Sequence, residues 1–464
     1  MKLFTTKAAL LLAFALVHTS AWSQAVDEKL AAAFRKFEQD PQLQNAISSL
    51  YITDAETGKV VFDRNSRIGL APASTMKVIT SLSAYELLGK DFVYKTKFAY
   101  HKGPKGAELV IVPSGDPTFG SWRWSDTREG IVLKRLTQAL QRTGVKSYNK
   151  VIIANEGWND ETVPDGWMWQ DIANYYGAGP AKLNWRENQY DVILRSGKSV
   201  GDPVAIVKTV PALDGYGLKS ELTSAAAGTG DNAYIYFPLS APSATIRGTI
   251  PVNESSFKIS GAMPSAARQF VSTLSDTLET AGIKIPKLPE AHNAALPKEG
   301  YNVFHTVTSP ALDSIIYWFN RKSINLYGEA LVKTIAYQKT HSSDTGKGLE
   351  KIREFWQQQG IPETELSMVD GSGLSPLNRV TTHAQVQLLE HASTQAWFDG
   401  FYTSLPVYNG MKMKSGTIRG VKGYCGYHKG KDGKTYIFSF LVNNYNGSAS
   451  ALVKKMYTVL DELK

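Results

Sequence analysis

The chain holds a single cysteine, Cys425, in 464 residues, so no intramolecular disulfide can staple it. Within Gly423-Tyr424-Cys425-Gly426-Tyr427 that cysteine reads as a small buried apolar residue. There is no arginine–lysine run, no zinc-finger spacing and no RNA-binding signature, which sets nucleic acid aside. The eight histidines show no metal spacing; His383 and His391, on one expected helix, read as structural. Low-complexity tracts and solenoid repeats are missing. So are long apolar runs: Ala8 to Val17 is too short to cross a bilayer.

That short run belongs to what reads as a secretory signal over residues 1–23. Lys2 and Lys7 supply its positive start, and Ala21-Trp22-Ser23 its small residues, with cleavage after Ala25 as an alternative. This predicts a periplasmic protein. Removing Lys2 and Lys7 from the formal charge of +9 leaves +7 on the mature chain. That charge suits a cell-wall polymer or acidic lipids, and equally the ordinary surface of an exported protein. The length calls for two or three domains.

Periodicity predicts a helix over 28–38, a β-hairpin from Ala46–Ile52 and Lys59–Phe62, and a helix after Pro72 that stops at Gly89. Strands at Tyr94–Tyr100 and Leu109–Val112, a helix at 130–142 and a strand at Val151–Ala154 suggest a small α/β unit. Residues 190–258 read as a separate β unit. A helix is expected over Ala266–Ala281, and Lys287–Gly300, with Pro289 and Pro297 and just after Pro286, reads as a linker. From Ser309 helices dominate: Asp313–Phe319, Leu326–Tyr337, Lys347–Gln359 and His383–Ser393, with a polar loop at Asp370–Ser375. The chain closes with a strand at Met411–Thr417 pairing with Tyr436–Asn443, then a helix over Ala449–Leu463.

Chemistry enters with Ser-x-x-Lys, which occurs at Ser74/Lys77, Ser147/Lys150 and Ser255/Lys258. Only the first opens a helical pattern, where positions i and i+3 share a face, so Lys77 can reach the Ser74 hydroxyl. A serine needs such a partner, because its hydroxyl alone is a poor nucleophile. Ser323-Ile324-Asn325 follows at a junction between helices, and Lys414-Ser415-Gly416 on a strand near the C-terminus. Ser-x-x-Lys, Ser-x-Asn and Lys-Thr-Gly in that order form the set of serine β-lactamases and penicillin-binding proteins.

With Ala71–Lys77, Gly115-Asp116-Pro117, Asn320–Leu331, Asp370–Ser375 and Lys414–Thr417, the chain resembles the D-alanyl-D-alanine carboxypeptidase/endopeptidase family, the low-molecular-mass class C penicillin-binding proteins. The resemblance implies an α/β multidomain fold: a β-lactamase/transpeptidase-like domain, an antiparallel sheet with helices, interrupted by nested β-rich insertions. The gap from Ser74 to Ser323, 323 − 74 = 249 residues, leaves room for them. The borders it suggests are 26–92 with 300–464 for the catalytic unit, 93–188 with 259–299 for a second domain, and 189–258 for a third nested within that.

It further implies Ser74, Lys77, Ser323, Asn325 and Lys414 as catalytic residues, no metal and no organic cofactor. Ser415, Gly416, Thr417, Asp171, Tyr176 and Ser372 would bind substrate, with Asp171 and Tyr176 placed where relatives contact the stem amine. The implied partners are peptidoglycan stem peptides, with β-lactam antibiotics as inhibitors. Two departures stand out. Ser415 replaces the commoner threonine and keeps the hydroxyl. Pro376 stands where relatives often carry an arginine that binds the free end of the stem, a role Arg379 could take.

Other readings remain open. A β-lactamase of class A would carry Glu-x-x-Leu-Asn, but Leu183-Asn184 and Leu377-Asn378 follow Pro180 and Leu374. A non-catalytic wall-binding module would not need the full set of hydroxyls and lysines. A serine esterase would need Gly-x-Ser-x-Gly at a strand-to-helix turn, where Asp370-Gly371-Ser372-Gly373 is too short by a residue. The C-terminal helix, with Val453, Met456, Val459 and Leu460 on one side, is compatible with peripheral membrane association or with core packing.

Overall fold

The computed structural model describes residues 26–464 except 104, 156, 160, 239–242 and 295–300. The expected signal segment 1–23 and the end of the expected linker lie outside the described residues.

Both ends of the chain build the main sheet. Its strands are β1 (Ile47–Asp54), β2 (Val60–Arg64), β16 (Val407–Tyr408), β17 (Met411–Ile418), β18 (Val421–Lys429) and β19 (Thr435–Asn443), ordered β16, β17, β18, β19, β1, β2 and antiparallel throughout. Side chains alternate between faces along a strand. Phe438, Phe440 and Val442 of β19 pack with α1 (residues 26–38) and α11 (Ala449–Leu460). Ile437 and Leu441 join a layer made by α2 (Met76–Leu88), α6 (Leu312–Lys322), α7 (Asn325–Thr340), α8 (Thr345–Gln358), α9 (Thr382–Ser393) and α10 (Phe398–Ser404). The apolar face of α11, through Leu452, Met456, Val459 and Leu460, is therefore spent on the sheet.

Coverage of both faces explains one correction. The Lys414 strand does not pair with Tyr436–Asn443; β18 lies between them. Val421–Tyr427 shows no polar alternation because Tyr424 serves one core and Cys425 and Tyr427 the other. Gly423 keeps that strand close-packed, since a Cβ there would lie 2.5 Å from Leu441 Cδ2.

A second, five-stranded sheet contains β3 (Lys95–Gly103), β4 (Gly106–Val112), β5 (Lys150–Ala154), β12 (Glu290–Ala294) and β13 (Tyr301–Thr308), ordered β12, β5, β4, β3, β13. The helices α3 (Glu129–Arg142) and α5 (Ala266–Thr280) supply much of its core. Two expectations change here. The stretch read as a linker contains β12, which runs parallel to β5, and residues 301–308, expected in the catalytic unit, pair with β3. The prolines around β12 masked its strand character, and pairing across about 200 residues of chain leaves no local signal.

Between these elements lies an all-β stretch: β6 (Gln189–Arg195), β7 (Ala205–Val210) and β11 (Phe257–Ala262) form one three-stranded sheet, while β8 (Gly217–Ala225), β9 (Asn232–Tyr236) and β10 (Ser243–Pro251) form another. The aromatic segment before it contributes one short helix, α4 (Trp169–Ile172). A two-stranded ribbon, β14 (Leu366–Ser367) with β15 (Arg379–Val380), brackets the loop 370–375. That loop was expected to be polar and to offer Ser372 to substrate. It is buried, because Asp370 accepts hydrogen bonds from the N–H groups of Gly373 and Ser375, from Asn378 Nδ2 and from Trp167 Nε1.

Candidate active site

The helix α2 is buried all round over Met76–Tyr85. A helix enclosed on every side carries polar groups only where they find partners. Thr80 donates to the Gly371 carbonyl (2.6 Å), and Trp356 Nε1 donates to Ser83 (2.8 Å). Ser74 sits in the 3-10 turn Ala73–Thr75 that leads into α2, after Ala73 at a left-handed φ of 46°. Such backbone persists only where its surroundings hold it. Here they do: Gly373 packs so closely that a Cβ on it would lie 1.8 Å from the Ala73 carbonyl oxygen. On the other side a Cβ on Gly416 of β17 would lie 2.5 Å from the Pro72 carbonyl oxygen and 3.0 Å from the Ser74 nitrogen.

Lys77 is wholly buried one turn on. Its Nζ lies 2.9 Å from Ser74 Oγ, 2.6 Å from Asn325 Oδ1 and 2.6 Å from the Ser372 carbonyl oxygen. None of these is a carboxylate. Burial pushes its pKa down to about 7, against the opposing pull of Asp370 and Glu329.

Ser323 ends α6 in a left-handed conformation (φ 56°), which turns the chain sharply so that Asn325 starts α7. Lys414 Nζ lies 3.0 Å from Ser323 Oγ and 2.8 Å from the Ser415 carbonyl oxygen. Burial, and then the nearby Lys77, hold Lys414 well below an ordinary lysine. Thr417, exposed at the end of the same strand, accepts a hydrogen bond from Lys422 (2.7 Å). Burial lowers Lys422 to about 8. Lys422 was missed in the sequence because β18 was; once paired, it stands opposite Thr417 in the ladder.

These groups open on a cleft of about 900 Å³ lined by Ser74, Ser323, Asn325 and Thr417 on one side and by Met168, Asp171, Tyr176 and Tyr234 on the other. The walls are tied together, since Asn325 Nδ2 donates to the Tyr176 carbonyl (2.7 Å). Tyr176 in turn donates its hydroxyl to Asp171 (3.3 Å), and burial raises the Asp171 carboxyl.

Other expected residues are placed differently. Ser372 is fully buried and meets Lys77 through its carbonyl, while Gly416 acts by close approach. Pro376 lines the cleft, but Arg379 donates to the Pro376 and Asn378 carbonyls instead. The arginine at the cleft is Arg419, two residues beyond Thr417, which the sequence reading passed over. The other Ser-x-x-Lys pairs lie elsewhere, with Lys150 on β5 and Lys258 beside Asp191. His383 bonds Glu365 and His391 bonds Glu86, and the described residues hold no group of three or more metal-ligating side chains.

The chain is similar to known proteins over nearly its whole length. It is 26% identical to a D-alanyl-D-alanine carboxypeptidase of Actinomadura sp., over 91% of this chain and 82% of that protein. It is 22% identical to the D-alanyl-D-alanine carboxypeptidase DacB of Haemophilus influenzae, over 84% and 83%. The crystal structure of penicillin binding protein 4 from the same species superposes with a TM-score of 0.77, covering 92% of this chain and 98% of that one at 19% identity, and so shares the fold. The model of the D-Ala-D-Ala carboxypeptidase 3 (S13) family matches residues 30–463, and the chain belongs to that family of serine peptidases.

Proposed function

We propose that Ser74 is the nucleophile of this carboxypeptidase and Lys77 its base. Ser74 Oγ attacks the carbonyl joining two terminal D-alanines while Lys77 takes its proton. The backbone N–H groups of Ser74 and Thr417 face the developing oxyanion. The C–N bond then breaks, the leaving amine gains a proton by way of Ser323, and D-alanine departs. Water attacks the ester, returning the proton to Ser74 and releasing the shortened stem. Lys414 and Thr417 hold the terminal carboxylate. Burial and the nearby Lys77 hold the Lys414 pKa down in the free enzyme, and a bound carboxylate would raise it again. The carrying observation is the contact of Lys77 Nζ with Ser74 Oγ at 2.9 Å, in a site that gives the amine no carboxylate partner.

Asp171 and Tyr176, across the cleft, would receive the stem amine. The same site would also cut cross-linked stems, for which a cleft of about 900 Å³ lined by both Ser74 and Asp171 offers room. β-Lactams present a carbonyl and a carboxylate in the same relation, and the Haemophilus protein has been solved with one bound. The catalytic unit would comprise 26–92 and the C-terminal part of the chain; the pairing of residues 301–308 with β3 supports placing its second border near 309 rather than 300. Export to the periplasm would follow from the segment 1–23. Among the described residues no helix is long and apolar enough to cross a membrane.

Mass spectrometry after incubation with benzylpenicillin tests this. A covalent adduct on the Ser74 peptide, absent from Ser74→Ala, is expected. Destruction of the drug without an adduct would mean a lactamase, and an intact drug without an adduct would end the catalytic assignment.

A further inference from the structure

Two acids lie buried beneath Lys77, and their surroundings differ sharply. Asp370 accepts four hydrogen bonds from N–H donors, enough to hold an anion in the interior. Glu329 is as deeply buried, yet its donors are few: its Oε2 accepts the Gly371 N–H (2.9 Å), the Ser372 hydroxyl lies alongside, and its Oε1 has no hydrogen-bond partner among the described residues. A buried carboxylate with one oxygen left without a donor is costly; a buried carboxylic acid is far less so.

Glu329 is nonetheless placed with care. It follows Asn325 by four residues on α7, and so shares its face. Asn325 touches Lys77 directly, and Glu329 holds the loop whose next carbonyl, that of Ser372, also touches Lys77. The helix reaches the loop through Gly328, where a Cβ would lie 2.9 Å from the Gly371 carbonyl oxygen.

Resting on the assignment of Lys77 as base, we propose that Glu329 is a positioning residue that stays a neutral carboxylic acid in the resting enzyme, carrying the proton that Lys77 lacks. An anion there would draw a proton onto the lysine and idle it. The charged groups facing Glu329 are Lys77 from α2 and Asp370 from the loop. Lys333, one turn further along α7, reaches Asn159 instead; Tyr176 meets the helix at Asn325, and α8 meets it through Gly348. Burial and then Asp370 raise the Glu329 pKa, and only Lys77 and the donors at Gly371 and Ser372 oppose them.

Infrared difference spectra of the wild type and Glu329→Gln locate the proton. At pH 7 the wild type should show the carbonyl band of a protonated acid that the variant lacks, and raising the pH to about 9 should abolish it. Glutamine mimics the neutral acid, so the acid limb of penicillin acylation should move by less than about 0.3 pH unit in Glu329→Gln. Absence of the band, with a limb moved down by about one unit or more, would show an ionised partner of Lys77 and overturn the proposal. Should the glutamine variant fold poorly, Glu329→Asp keeps an acid and should displace the band rather than abolish it; an unchanged spectrum would assign the band elsewhere and overturn the proposal too. The outcomes separate from those of the parent assignment: a missing Ser74 adduct removes Lys77 as base, whereas the band reports the proton without turnover.

Discussion

The pH dependence of acylation gives the most direct test of Lys77. An ordinary lysine, with a pKa near 10.4, is a free amine in only about one molecule in 2,500 at pH 7. Burial brings Lys77 to about 7, so half the molecules hold the free base at that pH. The site thereby raises the available base by about three orders of magnitude. Acylation should rise with pH through about 7 and fall about tenfold for each unit well below it, leaving it about 50-fold slower at pH 5 than at pH 7. The sign follows from burial: the folded protein disfavours the ammonium, so the active form accumulates as the proton leaves. The same shift acts on stability. The unfolded lysine keeps its proton up to its ordinary range, so this contribution is full above that range and is lost as the pH falls towards about 7. The assay is the second-order rate constant for a fluorescent penicillin from pH 5 to about 10.5 at constant ionic strength. A rate that is flat from pH 5 to 8, or that rises only near pH 10, would refute the argument. Lys77→Arg, which cannot lose its proton, should acylate about 10² to 10⁴ times more slowly at every pH.

Three further outcomes follow from the geometry. Gly416→Ala drives a methyl group to 2.5 Å from the Pro72 carbonyl oxygen, so the turn bearing Ser74 must shift and penicillin acylation should fall about 10²-fold with the fold retained by circular dichroism. Asp171→Asn should lower kcat/KM about tenfold for stem peptides with a free amine at the far end while leaving penicillin acylation unchanged; an equal loss for both would show a general structural role. Glu187 is fully buried and accepts from Arg123 Nε (2.7 Å), Arg123 Nη2 (3.0 Å), Ser121 (2.6 Å) and Tyr327 (2.8 Å) of α7, so Glu187→Ala, which strands the arginine, should cost about 3–5 kcal/mol in chemical denaturation.

Local chemistry carried much of this protein into view. The pattern Ala71–Gly89, with its serine, lysine and stop signal, named the helix and the Ser74–Lys77 pair that the structure brings into contact before any fold was known. Long helices such as α5 and α7 announced themselves through apolar spacing, because each must bury one face or more. The strands fared worse where both faces are covered, as in β18, or where partners lie far apart in the chain, as for β13. Arg419 escaped because nothing in its neighbours marks the residue that the end of β17 delivers to the cleft.

By itself, then, the sequence determined which side chains are available for chemistry and in what order, since a hydroxyl next to an amine on one helical turn is a local property. Only the tertiary structure decided what those groups are. It buried Lys77 among neutral oxygens and so lowered its pKa, stationed Lys414 by Ser323, and ranged Asp370 and Glu329 below with unequal shares of donors. Desolvation and hydrogen-bond count set charge in an interior, and both arise only when distant segments meet.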